Sequence, residues 1–165
     1  MKRTFSMLAF VFLLAALCGP LAAENFKNKA GGVSVWLPGD WEIDSEEPIG
    51  ALYADAPQGD SFCVLQVLLA GNNLTAALKA FSAPLAEEVD DFKIMRDVRQ
   101  GKLNGMNADF FAGEGHRDEK TWTIEVALIA TGESVLLCAI GWEKGREEKF
   151  APLRDKIFAS IKALE

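Results

Sequence analysis

The single histidine among 165 residues is His116, set in Gly113-Glu-Gly-His-Arg-Asp-Glu-Lys120 with Glu114 and Asp118 two residues to either side. A histidine between carboxylates can serve as a general base or a metal ligand. A metal site needs three or four fixed ligands, and a hydrolytic triad needs a positioned nucleophile as well as an orienting acid. Neither is readable near His116, where glycines and alternating charges describe a solvated hairpin tip. A hydrolase built on His116 therefore ranks last among the functional readings.

Asp40, Glu42, Asp44 and Glu46 alternate with Trp41, Ile43 and Ser45, so an extended chain places the acids on one face. With Glu47 or Asp55 they could offer convergent oxygens to calcium. The EF-hand spacing fails, because Ser45 stands where the turn glycine would be and Ala51 where the closing glutamate would be. The other reading is a charged outer face that keeps a sheet edge soluble. No metal or cofactor is expected.

Cys63 and Cys138 lie in two apolar runs, SFCVLQVLLA and SVLLCAIGW. In an oxidising compartment they could form a disulfide across a long loop, worth about 2 to 4 kcal/mol, if their Cα atoms come within ~7 Å. The alternative is two small buried hydrophobes. There is no Cys-x-x-Cys pair for redox catalysis. Glycine elbow, phosphate loop, dinucleotide fingerprint and His-Glu-x-x-His motifs are also absent from the sequence.

Trp36, Trp41, Tyr53, Trp122 and Trp142 can pack a core or line a partner-binding surface. In VSVWL, Trp36 alternates with Val33, Val35 and Leu37 and so belongs to the opposite strand face. Trp36, Trp41, Tyr53 and His116, with the loop Asp55–Asp60, are the candidates for a binding surface.

These residues need elements to position them. Alternation predicts strands over Val33–Leu37, Trp41–Asp44 and Ala51–Ala54, and the continuously apolar Ser61–Ala70 predicts a strand covered on both faces. Pro38-Gly39-Asp40 marks a turn. Leu74, Leu78, Phe81, Leu85, Val89 and Phe92 recur at helical spacing behind Asn72 or Asn73 as cap, with Pro84 kinking or dividing the helix near Ser82. Phe92–Gln100, Lys102–Asn104, Ala108–Gly113, Trp122–Ala130 and Ser134–Trp142 then read as successive strands. A final helix carries Phe150, Leu153, Ile157, Ile161 and Leu164, and Pro152 sets its regular start near Ala151. Strands joined by short turns, with helices packed on them, make an α+β fold with an antiparallel sheet.

Lys2 and Arg3, the apolar run Met7–Leu17 and small residues ending at Ala23 describe a secretory signal peptide, too short for a stable transmembrane helix. Cleavage after Ala23 leaves one domain over 24–165, directed to the periplasm or secreted. A lipid anchor at Cys18 is the alternative, poorly matched because Leu17 precedes it. Removal of the leader leaves 15 Lys and Arg against 24 Asp and Glu. A chain this acidic is repelled by phosphate backbones, so no nucleic-acid role is expected.

The Leu37-Pro-Gly-Asp-Trp41 step, the buried strand, the helix, Lys102-Leu-Asn-Gly105 before an aromatic strand, and the terminal Ala159-Ser160-Ile161 resemble the PsbP-like superfamily, whose exported bacterial members include DcrB-like envelope proteins. The resemblance implies a curved antiparallel sheet flanked by helices, and an accessory, assembly or partner-binding role rather than an enzyme. The matching positions are turns and core, so it carries over no functional residue. The sequence thus points to a non-enzymatic exported protein that binds a protein partner. The second reading is a small-ligand or lipid-binding module with an apolar pocket between the sheet and the helix from Leu74 to Phe92.

Overall fold

The computed structural model describes residues 24–164, so the leader expected over 1–23 lies outside the described residues. Strands β1 (Glu24–Asn28), β2 (Val33–Leu37) and β11 (Lys162–Ala163) form a small sheet in the order β1-β2-β11. The large sheet holds β3 (Glu42–Glu46), β4 (Ala51–Asp55), β5 (Ser61–Ala70), β6 (Asp90–Ile94), β7 (Arg99–Leu103), β8 (Met106–Arg117), β9 (Lys120–Ala130) and β10 (Ser134–Glu143). Its order is β3-β4-β5-β10-β9-β8-β6, with β7 also paired to β8, and every pairing is antiparallel. Helices α1 (Leu74–Ala80) and α2 (Ser82–Leu85) cover one face; α3 (Glu147–Ser160) and the small sheet cover the other. The fold is α+β.

Side-chain alternation divides the core in two. From β5, Phe62 and Val64 point toward α1 and α2, while Cys63 and Leu65 point toward α3 and β2. Strand β10 is buried along all but its last residue, which explains why its sequence shows no alternation. Gly141 belongs to the first face because a Cβ there would run into the Phe62 ring.

Several expected boundaries move. The predicted helix to Phe92 breaks at Phe81 and ends at Leu85, and Phe92 joins β6. Asn73 caps α1 by accepting from the Ala76 N–H at 2.9 Å, whereas Asn72 brackets the β9–β10 turn through both Gly132 backbone groups. The strand expected over 92–100 is two strands on the same edge of β8, interrupted where Met95 and Arg96 N–H both meet the Ala112 carbonyl. His116 lies inside β8 rather than at the tip, which falls at Asp118-Glu119 with both residues at positive φ. Strands β1 and β11 were not legible: β1 is five residues in a hairpin with β2, and β11 is two residues paired to β2 from the far end of the chain.

Helix α3 begins at Glu147, a turn earlier than Pro152 suggests. Tertiary contacts hold that first turn despite the proline. Asp60, buried in the β4–β5 connection, accepts from Arg146 Nη1 at 3.0 Å and Lys149 Nζ at 2.7 Å, and Phe150 enters the core beside them. At the other end, Asn104 Nδ2 donates to the Ile161 carbonyl at 2.6 Å and the Ala159 carbonyl at 3.1 Å. Ser160 Oγ accepts from the Trp36 N–H at 2.8 Å and donates to the Ile157 carbonyl at 2.6 Å.

Arg117 bridges the far end of the face covered by α1 and α2. Its guanidinium lies 5.5 Å from the rings of both Phe62 and Trp122 and bonds Asp55 and Glu88, each at 3.1 Å. Burial raises the Glu88 pKa, and the Arg117 charge opposes that shift.

Cys63 and Cys138 are on adjacent strands and the same face, but displaced diagonally: Cys63 is opposite Ile140 and Cys138 opposite Leu65. Both thiols are free and buried, so the bridge considered from the sequence is not formed. A hydrogen bond to Cys63 and full burial push the Cys138 thiol well above its ordinary range. Such thiols react slowly. Ellman's reagent should find neither thiol in the native mature protein and both after unfolding in guanidinium without reductant. A free-thiol count of zero after unfolding would mean that they are bridged.

The helix clamp is testable by paired variants. Asn104 is at φ +49°, in the left-handed region. Asn104→Gly should keep the turn and lose the clamp, destabilising by about 1 kcal/mol in urea unfolding, while Asn104→Ala should add about 1 kcal/mol of backbone strain. Equal stability of Asn104→Gly and wild type would show that the clamp contributes nothing.

Asp109, only 5% exposed, leaves Oδ1 without a hydrogen-bond partner, and burial raises its pKa. An acid whose folded pKa exceeds its unfolded value weakens the fold as pH rises between the two. Asp109→Asn should therefore gain on wild type in melting temperature at pH 7, and the gain should shrink toward pH 4. A pH-independent difference would count against this assignment.

Candidate functional site

A groove of about 580 Å³ lies between α3 and the outer part of the large sheet. Its floor is Phe110 and Ala112 of β8 with Glu125 of β9, residues whose alternation turns them toward α3. Ala151, Arg154 and Phe158 of α3 form one wall, and Arg96, Asp97 and Arg99 of the β6–β7 segment form the other. The groove exists because α3 packs over β2 and β10 and stops short of the β8 edge.

Its charges are unevenly engaged. Glu125 sits 2.6 Å from Arg154 Nη1 and 3.9 Å from Arg96 Nη1. Arg154 Nε also forms an ion pair with Asp155 Oδ1 at 2.8 Å. Trp142 lies beneath the lining, 1% exposed, with its Nε1–H buried and without a protein acceptor. Arg99 stacks over Phe110 at 5.9 Å. Glu147 accepts from the Gly145 N–H at 3.2 Å, and hydrogen bonds of this kind lower its pKa. Chemically, the groove offers aromatic and small apolar surface from Phe110, Ala112 and Phe158 with both cations and carboxylates around it.

The candidates read from the sequence do not gather at one place. Trp41 is buried in the core facing α3, and Trp122 in the opposite core. Trp36 is half-buried beneath Lys156, whose Nζ lies 3.6 Å from the ring centroid. Tyr53 is half-buried on the face of α1 and α2, 3.4 Å from Gln66 Oε1 and Glu87 Oε2, where burial raises its pKa. His116 is exposed on β8, opposite Asp90 and Thr121. Glu42 is opposite Asp55 and Asp44 opposite Tyr53 along the β3–β4 ladder, and Asp55 is taken by Arg117. Among the described residues no three His, Cys, Asp or Glu converge to hold a metal. No described helix is long and apolar enough to cross a membrane.

The pocket anticipated beneath the Leu74–Phe92 helix corresponds to a face filled by Phe81, Leu85, Phe111 and Leu137, whereas the 580 Å³ groove is on the opposite face. The groove residues were missed from the sequence because they come from four separated segments. Two signals were available. Glu125 is the one charge in the apolar run Trp122–Ala130, and Lys93–Lys102 concentrates four cations against one acid.

No family model matches the sequence, and no curated protein matches it. Solved structures do. The cyanobacterial PsbP protein CyanoP of Synechocystis sp. PCC 6803 superposes with a TM-score of 0.58 at 10% identity, over 88% of this chain and 95% of that one. LpqN of Mycobacterium tuberculosis, described as involved in cell envelope biogenesis, gives 0.52 at 13% identity, over 87% of this chain and 91% of that one. A Bacteroides thetaiotaomicron structure gives 0.55 at 13% identity over 81% of this chain, which spans just 46% of that longer one. Identities this low speak for the fold alone: the chain has a PsbP-like fold.

Proposed function

We propose that this is an exported, non-enzymatic accessory protein of the cell envelope, and that it works by binding a partner in the groove beside α3. The observation that carries this reading is the groove's lining. An open groove of about 580 Å³ sets the rings of Phe110 and Phe158 beside the charged side chains of Arg96, Asp97, Arg99 and Asp155. A concave surface with apolar rings at its base and charged groups at its rim is the kind that another molecule completes. The leader-like start of the sequence supports export, and the envelope role described for LpqN agrees with it. The placement of His116 on an exposed strand, with no metal cluster among the described residues, supports binding rather than catalysis.

A photo-crosslinking amino acid at Ala151, in the groove wall, should capture a specific envelope protein in the native host, and the same group at Lys79 on α1 should not. Identical products from both positions, or none from Ala151, would overturn the groove as the binding site.

A further inference from the structure

We infer that Asn104-Gly105 is a site of spontaneous deamidation, and that the reaction turns the clamp on the end of α3 into a repulsive contact. It is the one Asn-Gly step in the sequence. A glycine nitrogen attacks the preceding asparagine amide with least hindrance, because no Cβ shields it. Both residues are exposed in the two-residue turn between β7 and β8, Asn104 at φ +49° and Gly105 at φ +90°. A Cβ placed on Gly105 would meet nothing within 4 Å, and among the described residues its N–H has no hydrogen-bond acceptor. The nucleophile is open and unengaged.

Water is the only co-reactant. The Gly105 nitrogen bonds to Asn104 Cγ, and Nδ2 leaves as ammonia, taking up the proton that the Gly105 N–H gives up. Water then opens the succinimide at either carbonyl, leaving aspartate or isoaspartate at position 104. The leaving atom is also the clamp: Nδ2 donates to the carbonyls of Ile161 at 2.6 Å and Ala159 at 3.1 Å, with that of Phe158 at 3.4 Å. It can depart only when those bonds break, so the reaction proceeds from molecules in which the end of α3 has opened locally. Closure is then opposed. An ionised carboxylate only accepts hydrogen bonds, and the carbonyls at a helix C-terminus carry partial negative charge, so acceptors come to face acceptors. Aspartate tolerates the left-handed turn position much as asparagine does, whereas isoaspartate adds a carbon to the backbone of the turn. The aspartate product therefore keeps the turn and loses the clamp. Phe158 lines the groove as well, so the release reaches one of its walls.

Peptide mapping by mass spectrometry of the folded mature chain, aged in mildly alkaline buffer, tests the site. Conversion at position 104 should be at least tenfold faster than at Asn25, Asn28, Asn72, Asn73 or Asn107. Ser160→Ala removes the hydroxyl that ties the end of α3 to β2 without touching the reacting atoms, and it should speed the conversion at least threefold. Asn104→Asp should melt below Asn104→Gly at pH 7, because both keep the turn and only the carboxylate repels the helix carbonyls. That gap should narrow toward about pH 3, where a protonated carboxyl donates again. Far-UV circular dichroism of each variant confirms that the fold is retained. Conversion at position 104 no faster than at the other asparagines, or a rate unchanged in Ser160→Ala, would overturn the inference. So would equal melting of Asn104→Asp and Asn104→Gly, or a gap between them that persists in acid.

Discussion

Much of this molecule depends on α3 being fastened at both ends. Asp60 grips its first turn through Arg146 and Lys149, and Asn104 and Ser160 tie its last turn to the β7–β8 hairpin and to β2. Between these anchors Phe150 and Ile157 enter the core, closing the sheet face that contains Cys63, Cys138 and Trp142. A helix of this length would be marginal alone, so its position comes from packing and anchors rather than from propensity. Because the anchors fix α3 over β2 and β10, the outer residues of β8 and β9 stay uncovered and form the groove.

The same constraint explains the motif residues that resemble a wider superfamily. Asn104, in Lys102-Leu-Asn-Gly105, takes the left-handed turn position and spends its amide on the carbonyls at the end of α3. Ser160, in Ala159-Ser160-Ile161, replaces a missing strand partner for the Trp36 N–H. Such positions serve chain geometry, which is why similar folds accompany identities of 10 to 13%. A shared fold of this kind does not by itself set function.

Electrostatic placement follows a comparable logic on the opposite face. Arg117 lies over Phe62 and Trp122 while Asp55 and Glu88 take its hydrogen bonds, so one cation joins β4, β8 and the loop after α2. Its partners are spent on structure. Arg96 differs in being 75% exposed and 3.9 Å from Glu125, a loose pair at the surface rather than an internal tie.

Alternation made β2 and β9 readable from sequence, and continuous apolar runs made β5 and β10 readable, because a strand buried on one face alternates and one buried on both does not. The break near Ser82 was readable as well, since proline lacks the N–H that a helix needs. The start of α3 was not, because Asp60, 86 residues before Arg146, holds it in place. Nor was the interruption between β6 and β7, which depends on the shared Ala112 carbonyl of another strand. By itself the sequence determined the α+β class, the main strands and an acidic chain with a leader-like start, all of which follow from local periodicity and composition. Only tertiary structure decided that Trp41 would enter the core, that Cys63 and Cys138 would lie diagonally, and that Arg96 and Arg154 would meet Glu125. Those outcomes depend on strand register and on the docking of α3, which are fixed by contacts between residues far apart in the chain.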